Sequence, residues 1–598
     1  MSRRIILFLG VLAGLARVLY LLFAIPNYIP DKDADQYMQL ARAFSNGAGL
    51  SIQWPFAYVH PSAFRPPLYP ALVGSLFSVT GSSLIYAQIL NIAIGIGVVL
   101  LCALLANQIW GREAGIVAGG IAALSPALIA NDATVLAEPL SLLLLLATWW
   151  YLVRARPLPA AISLGLLMLT KPSAQLLALF LIAWVVWQFG WRRALRFSAV
   201  TLLVILPWII RNELLIGEPT LNTSNGFNVS ARYSEFSENG REFADAYSDN
   251  RFAPYVYLTG DDSAWDKALL KQGTTNFRAH PEIVINVTKR NFLSWFEIDS
   301  ERNDLAEKFD GRNMEVRNNT FWLIWPITII GTLGLVSTLR RRGALLILGS
   351  AVLIMATSLF SIVAPRLRSP FDLAMYLGCG AAWALWRVRK NPTAVASLRD
   401  ERCDPLAPSA QSAASPPQSL SPRFWPVIGA LLVFIFCSSY LLRERVISDA
   451  RSGVSKSIES TVMETKRLQS EYPVTEANAL EFNPTAGITA LENLDRELHL
   501  KAPRLSGSEG ARASRAALAV RESLVEARVL GAQIAFVAID SDRRGVPFSL
   551  AAVRKRYTNL TLASNAGLPS FDVLLSGRAI QDASYAIRKA HDSLSSSN

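Results

Sequence analysis

Cysteine is scarce in this sequence. Only four of the 598 residues are cysteines: Cys102, Cys379 and Cys437 lie inside apolar segments, and Cys403 lies in a polar linker. No Cys-x-x-Cys pair occurs, and no cysteine–histidine spacing is typical of a zinc site. The sequence therefore excludes a disulfide-stabilised fold and a cysteine-ligated zinc centre.

Acidic residues are also fewer than basic ones, with 46 Asp and Glu against 58 Lys and Arg, which leaves a net charge of +12. A basic excess can indicate nucleic-acid binding. Here, however, the arginines lie at the ends of apolar segments, for example "RAR" at 154–156 and "RRR" at 340–342. This distribution is typical of membrane topology signals, so we predict no nucleic-acid partner.

Apolar residues are abundant, at 52% of the chain, and a membrane span needs about 20 mostly apolar residues. We identify eleven apolar segments, at 5–25, 84–109, 115–130, 139–153, 158–170, 173–189, 197–210, 321–338, 344–364, 371–386 and 424–442. The first segment is predicted to be retained rather than cleaved as a signal peptide. Arg17 interrupts it, and no small-residue cleavage site follows it.

The arginine clusters predict the orientation. If the N-terminus is cytoplasmic and the segments alternate, almost every cluster falls on the cytoplasmic side. The sequence thus predicts an α-helical polytopic protein of the cell (inner) membrane with about 11 transmembrane helices and an extracytoplasmic C-terminus. Residues 66–80 are predicted to form a helix in the interface, because a further span there would move the later clusters outside.

The remaining segments define the domains. Residues 1–390 form the transmembrane domain, with a large outer loop at 211–320, and the Ala-, Ser- and Pro-rich stretch 391–423 is predicted to be a disordered cytoplasmic linker. The last helix, 424–442, leads to a soluble domain at 443–598. The run "QIAFVAID" at 533–540 is typical of a buried strand, so this domain is predicted to be α/β.

Most notable polar residues fall on one predicted face of the membrane, the outer one. They are Asp31, Asp33, Asp35, His60, Arg65, Asp132, Glu138, Lys171, Arg211, Arg366 and Arg368. Arginines beside carboxylates at a bilayer surface indicate a site for an anionic lipid headgroup next to a general base, because the planar guanidinium binds phosphate through two parallel hydrogen bonds.

Each residue also has a purely structural interpretation. Asp33 could cap the amphipathic helix "DADQYMQLARAF", and Glu138 could occupy a helix first turn, where the helix dipole favours an acid. Lys171 could be a turn residue with a snorkelling side chain. These alternatives stay open when each residue is considered alone.

The order of the motifs resembles that of the GT-C superfamily of integral-membrane glycosyltransferases, especially the protein O-mannosyltransferases and lipid A aminoarabinose transferases. The resemblance covers roughly residues 5–390. Its motifs are "DADQY" (33–37), "RPPLYP" (65–70), "LAEPL" (136–140), "LTKPS" (169–173), "LPWIIRN" (206–212), "HPEIVINVTKRNFLSWF" (280–296) and "RLRSP" (366–370).

The resemblance implies roles for several residues. The aspartate four residues before the tyrosine of "DADQY" is the family's catalytic base, which here is Asp33, and the cation before the Pro-Pro pair is Arg65. Ala34 replaces a carboxylate found in relatives, so Asp35 is the alternative base. Glu138 is a further catalytic candidate. Tyr37, His60 and Asp132 are additional site candidates.

The resemblance further implies the reaction. A polyprenyl-phosphate sugar is the donor, and a lipid, glycan or protein is the acceptor of a hexosyl or pentosyl group, with inversion of the anomeric centre. The donor phosphate would be stabilised by Arg65, Lys171, Arg211, Arg366 and Arg368. No nucleotide-binding glycine loop is required, and a divalent metal held by Asp132 and Glu138 stays an open alternative.

Two other functions fit the composition. A secondary transporter or lipid-linked-sugar flippase would use charges along a path, with some near the membrane midplane. A non-catalytic GT-C scaffold would bind a lipid-linked glycan or recruit partners through 443–598. It would tolerate replacement of Asp33.

Overall fold

The computed structural model describes residues 1–52, 60–241, 243–246, 252, 262–298, 300–389, 443–501, 507–564 and 570–595. The predicted linker 391–423 and the predicted last span 424–442 lie outside these residues. In the described part, the only sheet is a two-residue antiparallel pair, β1 (Ser51–Ile52) with β2 (His60–Pro61).

The transmembrane domain is built of helices at the predicted positions. They are α1 (Arg3–Leu19, extended by a π-turn at Tyr20–Ala24), α2 (Asp33–Ser45), α3 (Leu68–Thr80), α4 (Leu84–Trp110), α5 (Arg112–Leu124), α6 (Pro126–Ala133), α7 (Glu138–Val153), α8 (Pro157–Met168), α9 (Ala174–Phe189) and α10 (Trp191–Ile216). After the outer loop they continue as α16 (Ile324–Ser337), α17 (Arg342–Leu359) and α18 (Ser369–Arg389).

Among the described residues, five helical segments are long and apolar enough to cross a membrane, which supports an integral membrane protein. They are Arg3–Ala24, Leu84–Trp110, Trp191–Ile216, Met314–Ser337 and Arg342–Leu359. The predicted span 115–130 is instead a helix pair bent by 55°. The bend falls at Ser125, whose hydroxyl caps α6 at the Leu128 N–H, and at Pro126, which has no N–H to continue α5. Helices α7, α8 and α9 are apolar but shorter.

The helices alternate in direction, so the bundle has two distinct ends. Arg341 donates a hydrogen bond to the carbonyl of Ile109, and Arg387 lies 3.9 Å from Glu113. At the other end, Asn91 bonds the carbonyls of Thr134 and Leu136. The arginine clusters therefore lie at the end of the bundle opposite to Glu138, as the topology rule predicts.

The outer loop is largely helical. It contains α11 (Asn225–Tyr233), α12 (Asp262–Ala279), α13 (Ile283–Trp295), α14 (Ser300–Phe309) and α15 (Met314–Thr320). Its side chains Phe252 and Trp265 form a small core together with Phe64, which precedes α3.

The α/β prediction for the C-terminal domain is wrong in the described residues, which are helical. The helices are α19 (Arg443–Ser470), α20 (Thr485–Lys501), α21 (Gly507–Arg544), α22 (Leu550–Ser564), α23 (Phe571–Ser576) and α24 (Arg578–Ser595). The run 533–540, predicted as a strand, lies inside α21. There Ile534 and Val537, with Leu530 one turn before them, are buried at helical spacing in one core.

Candidate active site

The site is organised by the start of α2. One face of this helix, formed by Ala34, Tyr37, Met38 and Ala41, is buried at helical spacing. The backbone of α3 approaches closely at Gly74, where an added Cβ would come within 2.7 Å of the Ala41 carbonyl oxygen. This packing fixes α2, and Asp33 is its first residue.

The residue before Asp33 has an unusual backbone. Lys32 adopts φ 45°, in the left-handed region that residues other than glycine seldom enter. Its ammonium donates to Asp245 at 3.0 Å, which ties the turn to the outer loop. Strained backbone of this kind is common at functional sites.

Asp33 lies between two arginines that are far apart in sequence. Arg65 bonds one carboxylate oxygen, and Arg366 donates to the other at 2.5 Å. Arg65 also donates to Gln36 at 2.6 Å, and its guanidinium lies over the ring of Phe64. The side chains of Asp33, Arg65 and Arg366 remain 24%, 19% and 15% exposed, respectively.

Arg366 connects Asp33 with two further carboxylates. It lies 3.1 Å from Asp310 and 3.8 Å from Glu138. Lys171 donates to Glu138 at 2.6 Å. The site thus holds three cations and three carboxylates: Arg65, Lys171, Arg366, Asp33, Glu138 and Asp310.

The charges set the protonation of the site. Burial would raise the pKa of Asp33, but Arg65 and Arg366 outweigh it and hold that pKa well below its usual range. Asp310 differs, because burial raises its pKa to about 6 against the opposing charges of Arg366 and Arg312. Asp33 is therefore ionised at neutral pH, whereas Asp310 titrates at a pH slightly below neutral.

Asp310 is the site residue that the sequence analysis missed. It lies in the polar stretch between α14 and α15, where no motif marks it. Its position just before the apolar segment 321–338, at the same predicted outer end as Asp33, was the available signal. One of its buried oxygens, Oδ2, has no hydrogen-bond partner in the described residues.

A network of ion pairs supports this loop. Arg312 bonds Glu307 and Asn131. Arg317 binds Glu297 at 2.9 Å and Glu307 at 2.7 Å. This network joins α14 and α15 to the membrane helices, and it holds Asp310 beside Arg366.

Two of the predicted residues, Arg368 and Arg211, make structural contacts around the site. Arg368 donates to Asp372 at 3.0 Å and to the Trp295 carbonyl at 2.7 Å. Arg211 donates to the carbonyls of Leu50 and Ser62, both at 3.0 Å. These contacts use guanidinium groups that were predicted to bind the donor phosphate.

His60 belongs to a second buried cluster. It lies 2.7 Å from Asp262, which also accepts hydrogen bonds from Ser62 and Thr223. The cluster ties β2 to α12 and so holds the outer loop over the strand pair.

The other candidates divide between the two faces of α2. Asp35 accepts a hydrogen bond from Gln39 at 2.7 Å; two residues from Asp33, it projects from a different face of the helix. Tyr37 packs edge-on against Tyr69, with the Arg65 guanidinium over its ring. The structure therefore brings Asp33, and not Asp35, to the two arginines.

Asp132 lies apart from this cluster. It accepts a hydrogen bond from Arg17 at 2.6 Å in the dry interior of the bundle. The alternative of a metal held by Asp132 and Glu138 stays a prediction; in the structure Asp132 is bonded to Arg17 and Glu138 to Lys171. The described residues contain no group of three His, Cys, Asp or Glu side chains that could hold a metal ion.

Chemically, the cluster can bind a phosphate and accept a proton. Two guanidinium groups and an ammonium are gathered at one partly exposed point, and the carboxylates they pair with are the groups that a bound phosphate would displace. Phosphate binding and proton transfer at this cluster stay predictions.

Comparisons with known proteins find similarity in structure only. No family model matches the chain, and no curated protein matches it. Solved structures do match at a probability of 1.00. ArnT from Cupriavidus metallidurans in the apo state gives a TM-score of 0.39 and 14% identity, covering 96% of this chain and 76% of that one.

Two further structures match in the same way. ArnT from the same organism bound to undecaprenyl phosphate gives a TM-score of 0.35 at 13% identity, over 97% of this chain and 77% of that one. The Archaeoglobus fulgidus oligosaccharyltransferase complex with Zn and sulfate gives 0.37 at 14% identity, over 69% of this chain. The match spans about half, 54%, of that oligosaccharyltransferase. The similarities are distant, and the chemistry of this chain has to be inferred from its own residues.

Proposed function

We propose that this protein is an inverting glycosyltransferase that moves a hexosyl or pentosyl group from a polyprenyl-phosphate donor to a lipid, glycan or protein acceptor. The observation that carries the proposal is the placement of Asp33 between Arg65 and Arg366. The phosphate-binding groups and the base candidate lie at one end of the helix bundle, where a lipid-linked phosphate would lie.

The donor phosphate would bind Arg65, Arg366 and Lys171. As the bond from the anomeric carbon to the phosphate oxygen breaks, negative charge grows on the leaving phosphate, and these cations stabilise it. Arginine suits this role because its fork can bind two phosphate oxygens at once.

Asp33 would take the proton from the attacking hydroxyl or amine. In the unliganded site it is a weak base, because its pKa is held low by the two arginines. A bound phosphate competes for the same guanidinium groups and adds negative charge beside Asp33, and both effects raise the pKa of that carboxylate. Donor binding thus prepares the base, which predicts that the donor binds before the acceptor.

The orientation of the chain is also a proposal. With the arginine clusters in the cytoplasm, Asp33 is extracytoplasmic. With eleven predicted spans, the C-terminal domain lies on the same side as Asp33. A domain in that position can guide an acceptor.

Labelling with an impermeant thiol reagent tests the orientation. In a variant without the four native cysteines, we expect single cysteines at Ser457 and Asn225 to be labelled in intact cells and a cysteine at Arg340 to be protected. Protection at Ser457 would overturn the helix count and the proposed role of the C-terminal domain.

The function itself is tested by replacing the base. A general base contributes about 10²–10⁴-fold to a rate, so Asp33→Asn should reduce transfer by about that factor while the protein remains folded. Asp35→Asn, two residues away, is the matched control and should keep near-normal transfer. Normal turnover in Asp33→Asn would remove the proposal.

A further inference from the structure

The two carboxylate oxygens of Asp310 have different surroundings. Oδ1 lies 3.1 Å from Nη1 of Arg366. Oδ2 is buried and has no hydrogen-bond partner among the described residues, and the side chain as a whole is only 8% exposed. A buried carboxylate oxygen without a donor disfavours the charged form of the group. A proton can therefore reside on Oδ2 while Oδ1 stays on Arg366.

The backbone fixes Asp310 in this position. It directly follows α14, and its N–H donates to the carbonyl of Ala306 at 3.0 Å. The next residue, Gly311, has φ 71°, and an added Cβ there would clash with the ring of Tyr28. This turn requires a glycine and packs closely on its neighbour. Packing as well as charge thus holds Asp310 beside Arg366.

Asp310 and Asp33 occupy the two terminal nitrogens of one guanidinium. Arg366 donates through Nη2 to Asp33 at 2.5 Å, and its Nη1 faces Asp310. In the proposed reaction the donor phosphate takes the place of Asp33 on this guanidinium. An ionised Asp310 would then lie beside a second anion, whereas a protonated Asp310 leaves the positive charge of Arg366 to the phosphate.

The charges of the cluster indicate when the proton enters. With all six groups ionised, the three cations and three carboxylates cancel. A phosphodiester donor adds one negative charge, and one proton on a carboxylate restores neutrality. Burial raises the pKa of Asp310 to about 6, whereas Arg65 and Arg366 hold the pKa of Asp33 well below its usual range. Asp310 is therefore the better proton acceptor of these two.

The other groups around Asp310 keep their charge state. The groups that act on it electrostatically are Arg366, Arg312, Asp33, Glu138 and Tyr28. Burial holds the pKa of the Tyr28 hydroxyl above its usual range, so it stays neutral. Arg312 is paired with Glu307 at 2.8 Å, and Glu138 accepts a hydrogen bond from Lys171 at 2.6 Å. The change that donor binding brings to Asp310 is the new anion on Arg366.

We propose that Asp310 takes up one proton from solvent when the donor phosphate binds. The proton goes to Oδ2, no bond of the donor breaks in this step, and Oδ1 keeps its contact with Arg366. Asp310 is a positioning residue, because it acts through Arg366 and not on the reacting atoms. This role rests on the proposed function, since it needs a donor phosphate on Arg366, and it adds a pH-dependent donor affinity.

The same proton serves the product state. After transfer, Asp33 holds the proton of the acceptor, and the leaving phosphate monoester gains a second negative charge near neutral pH. With Asp33 and Asp310 both protonated, the three cations and Glu138 leave two positive charges for these two negative ones. The cluster is thus neutral before binding, with the donor bound and with the product bound.

Calorimetric titration of the full chain in neutral detergent micelles tests the proposal. The probe is polyprenyl methyl phosphate, a phosphodiester lipid without a sugar that keeps one negative charge across the neutral range. Titrations at pH 7 in two buffers of different ionisation enthalpy give the number of protons taken up. Asp310 is about one-tenth protonated in the free protein at this pH, so binding should take up about 0.9 proton. The affinity should fall about tenfold from pH 7 to pH 8.

The variant Asp310→Asn mimics the protonated carboxyl and keeps an oxygen for Arg366. It should take up less than about 0.2 proton, bind the lipid about tenfold more tightly than the wild type at pH 7, and lose the pH dependence. Asp35→Asn removes the same charge outside the cluster and is the matched control. It should keep the proton uptake and the pH dependence of the wild type.

Two results would overturn this role and leave the proposed function in place. One is wild-type binding of the lipid without proton uptake, a measurement that depends on no variant. The other is uptake of about one proton by Asp310→Asn, which would assign the proton to another group such as Asp33. If the wild type does not bind the lipid at any pH, the phosphate site is wrong, and the proposed function and the role of Asp310 both fail.

Discussion

Two groups of paired charges lie in the membrane domain, and they differ in their access to solvent. The side chains of Arg17 and Asp132 are 0% and 2% exposed. In the site, by contrast, Asp33 is 24% exposed and Arg65 is 19% exposed. The same ion-pair chemistry therefore has two uses: a sealed pair fixes helices, and an open one can exchange partners with a ligand.

The sealed pair leaves no room for a ligand. Arg17 also donates to the carbonyls of Ala13 and Ala123, both at 3.1 Å. Gly95 packs so tightly on the carboxylate that an added Cβ would lie 2.1 Å from Asp132 Oδ2. A transport path would require charges that water or substrate can reach, and this pair does not provide them.

The largest effect is expected from breaking the sealed pair. Asp132→Asn leaves the Arg17 charge buried without a counter-ion, which should reduce the free energy of unfolding by about 3–5 kcal/mol. Chemical denaturation in micelles measures this loss. The double variant Arg17→Leu/Asp132→Leu should recover most of the lost free energy of unfolding. If Asp132→Asn unfolds at the same denaturant concentration as the wild type, the pair does not stabilise the fold.

Substitutions in the partly exposed Asp33 cluster should reduce activity rather than stability. Arg366→Ala removes a charged group that holds the phosphate in the ground state and in the transition state. This loss should lower kcat/KM for the donor by the equivalent of about 2–4 kcal/mol. Arg366→Lys keeps the charge without the planar fork and should lie between the wild type and the alanine variant. Unchanged kinetics in both Arg366→Ala and Arg65→Ala would rule out a phosphate site here.

The smallest effect concerns pH. The pKa of Asp310 is about 6 in the fold and about 4 in an unfolded chain, so the folded protein holds this proton more tightly. The contribution of Asp310 to stability is therefore present below about pH 4 and is lost as the pH rises to about 6.

Thermal unfolding between pH 4 and pH 7 measures this contribution. Asp310→Asn should show a smaller decrease of the unfolding temperature over this range than the wild type. If Asp310→Asn shows the same decrease as the wild type, the Asp310 carboxyl does not titrate in this range.

The sequence predicted much of the membrane domain, because apolar length and arginine position are local signals. It also marked five of the six charged residues of the cluster. It could not separate Arg366, which contacts Asp33, from Arg368, two residues later, which contacts Asp372. That difference arises in the 3₁₀ turn at Pro365–Arg368, and no sequence pattern reports which way its side chains point.

Other residues depended on tertiary contacts. Asp132 was grouped with the outer residues because it precedes "LAEPL", but the bend at Ser125 and Pro126 carries it to Arg17. Asp310 needed the ion-pair network around Arg312 to reach Arg366. The run 533–540 is apolar enough for either a strand or a buried helix, and periodicity over eight residues does not separate the two. Its continuation to Arg544 in one helix decided it.

The central claim is that phosphate and the Asp33 carboxylate compete for the same two arginines. The most direct measurement is the affinity of the Asp33→Asn variant for a polyprenyl phosphate, made together with its turnover. We predict that Asp33→Asn binds the lipid phosphate more tightly than the wild type, because no carboxylate opposes it, while transfer falls by about 10²–10⁴-fold. Weaker binding by Asp33→Asn, or transfer at the wild-type rate, would contradict the account.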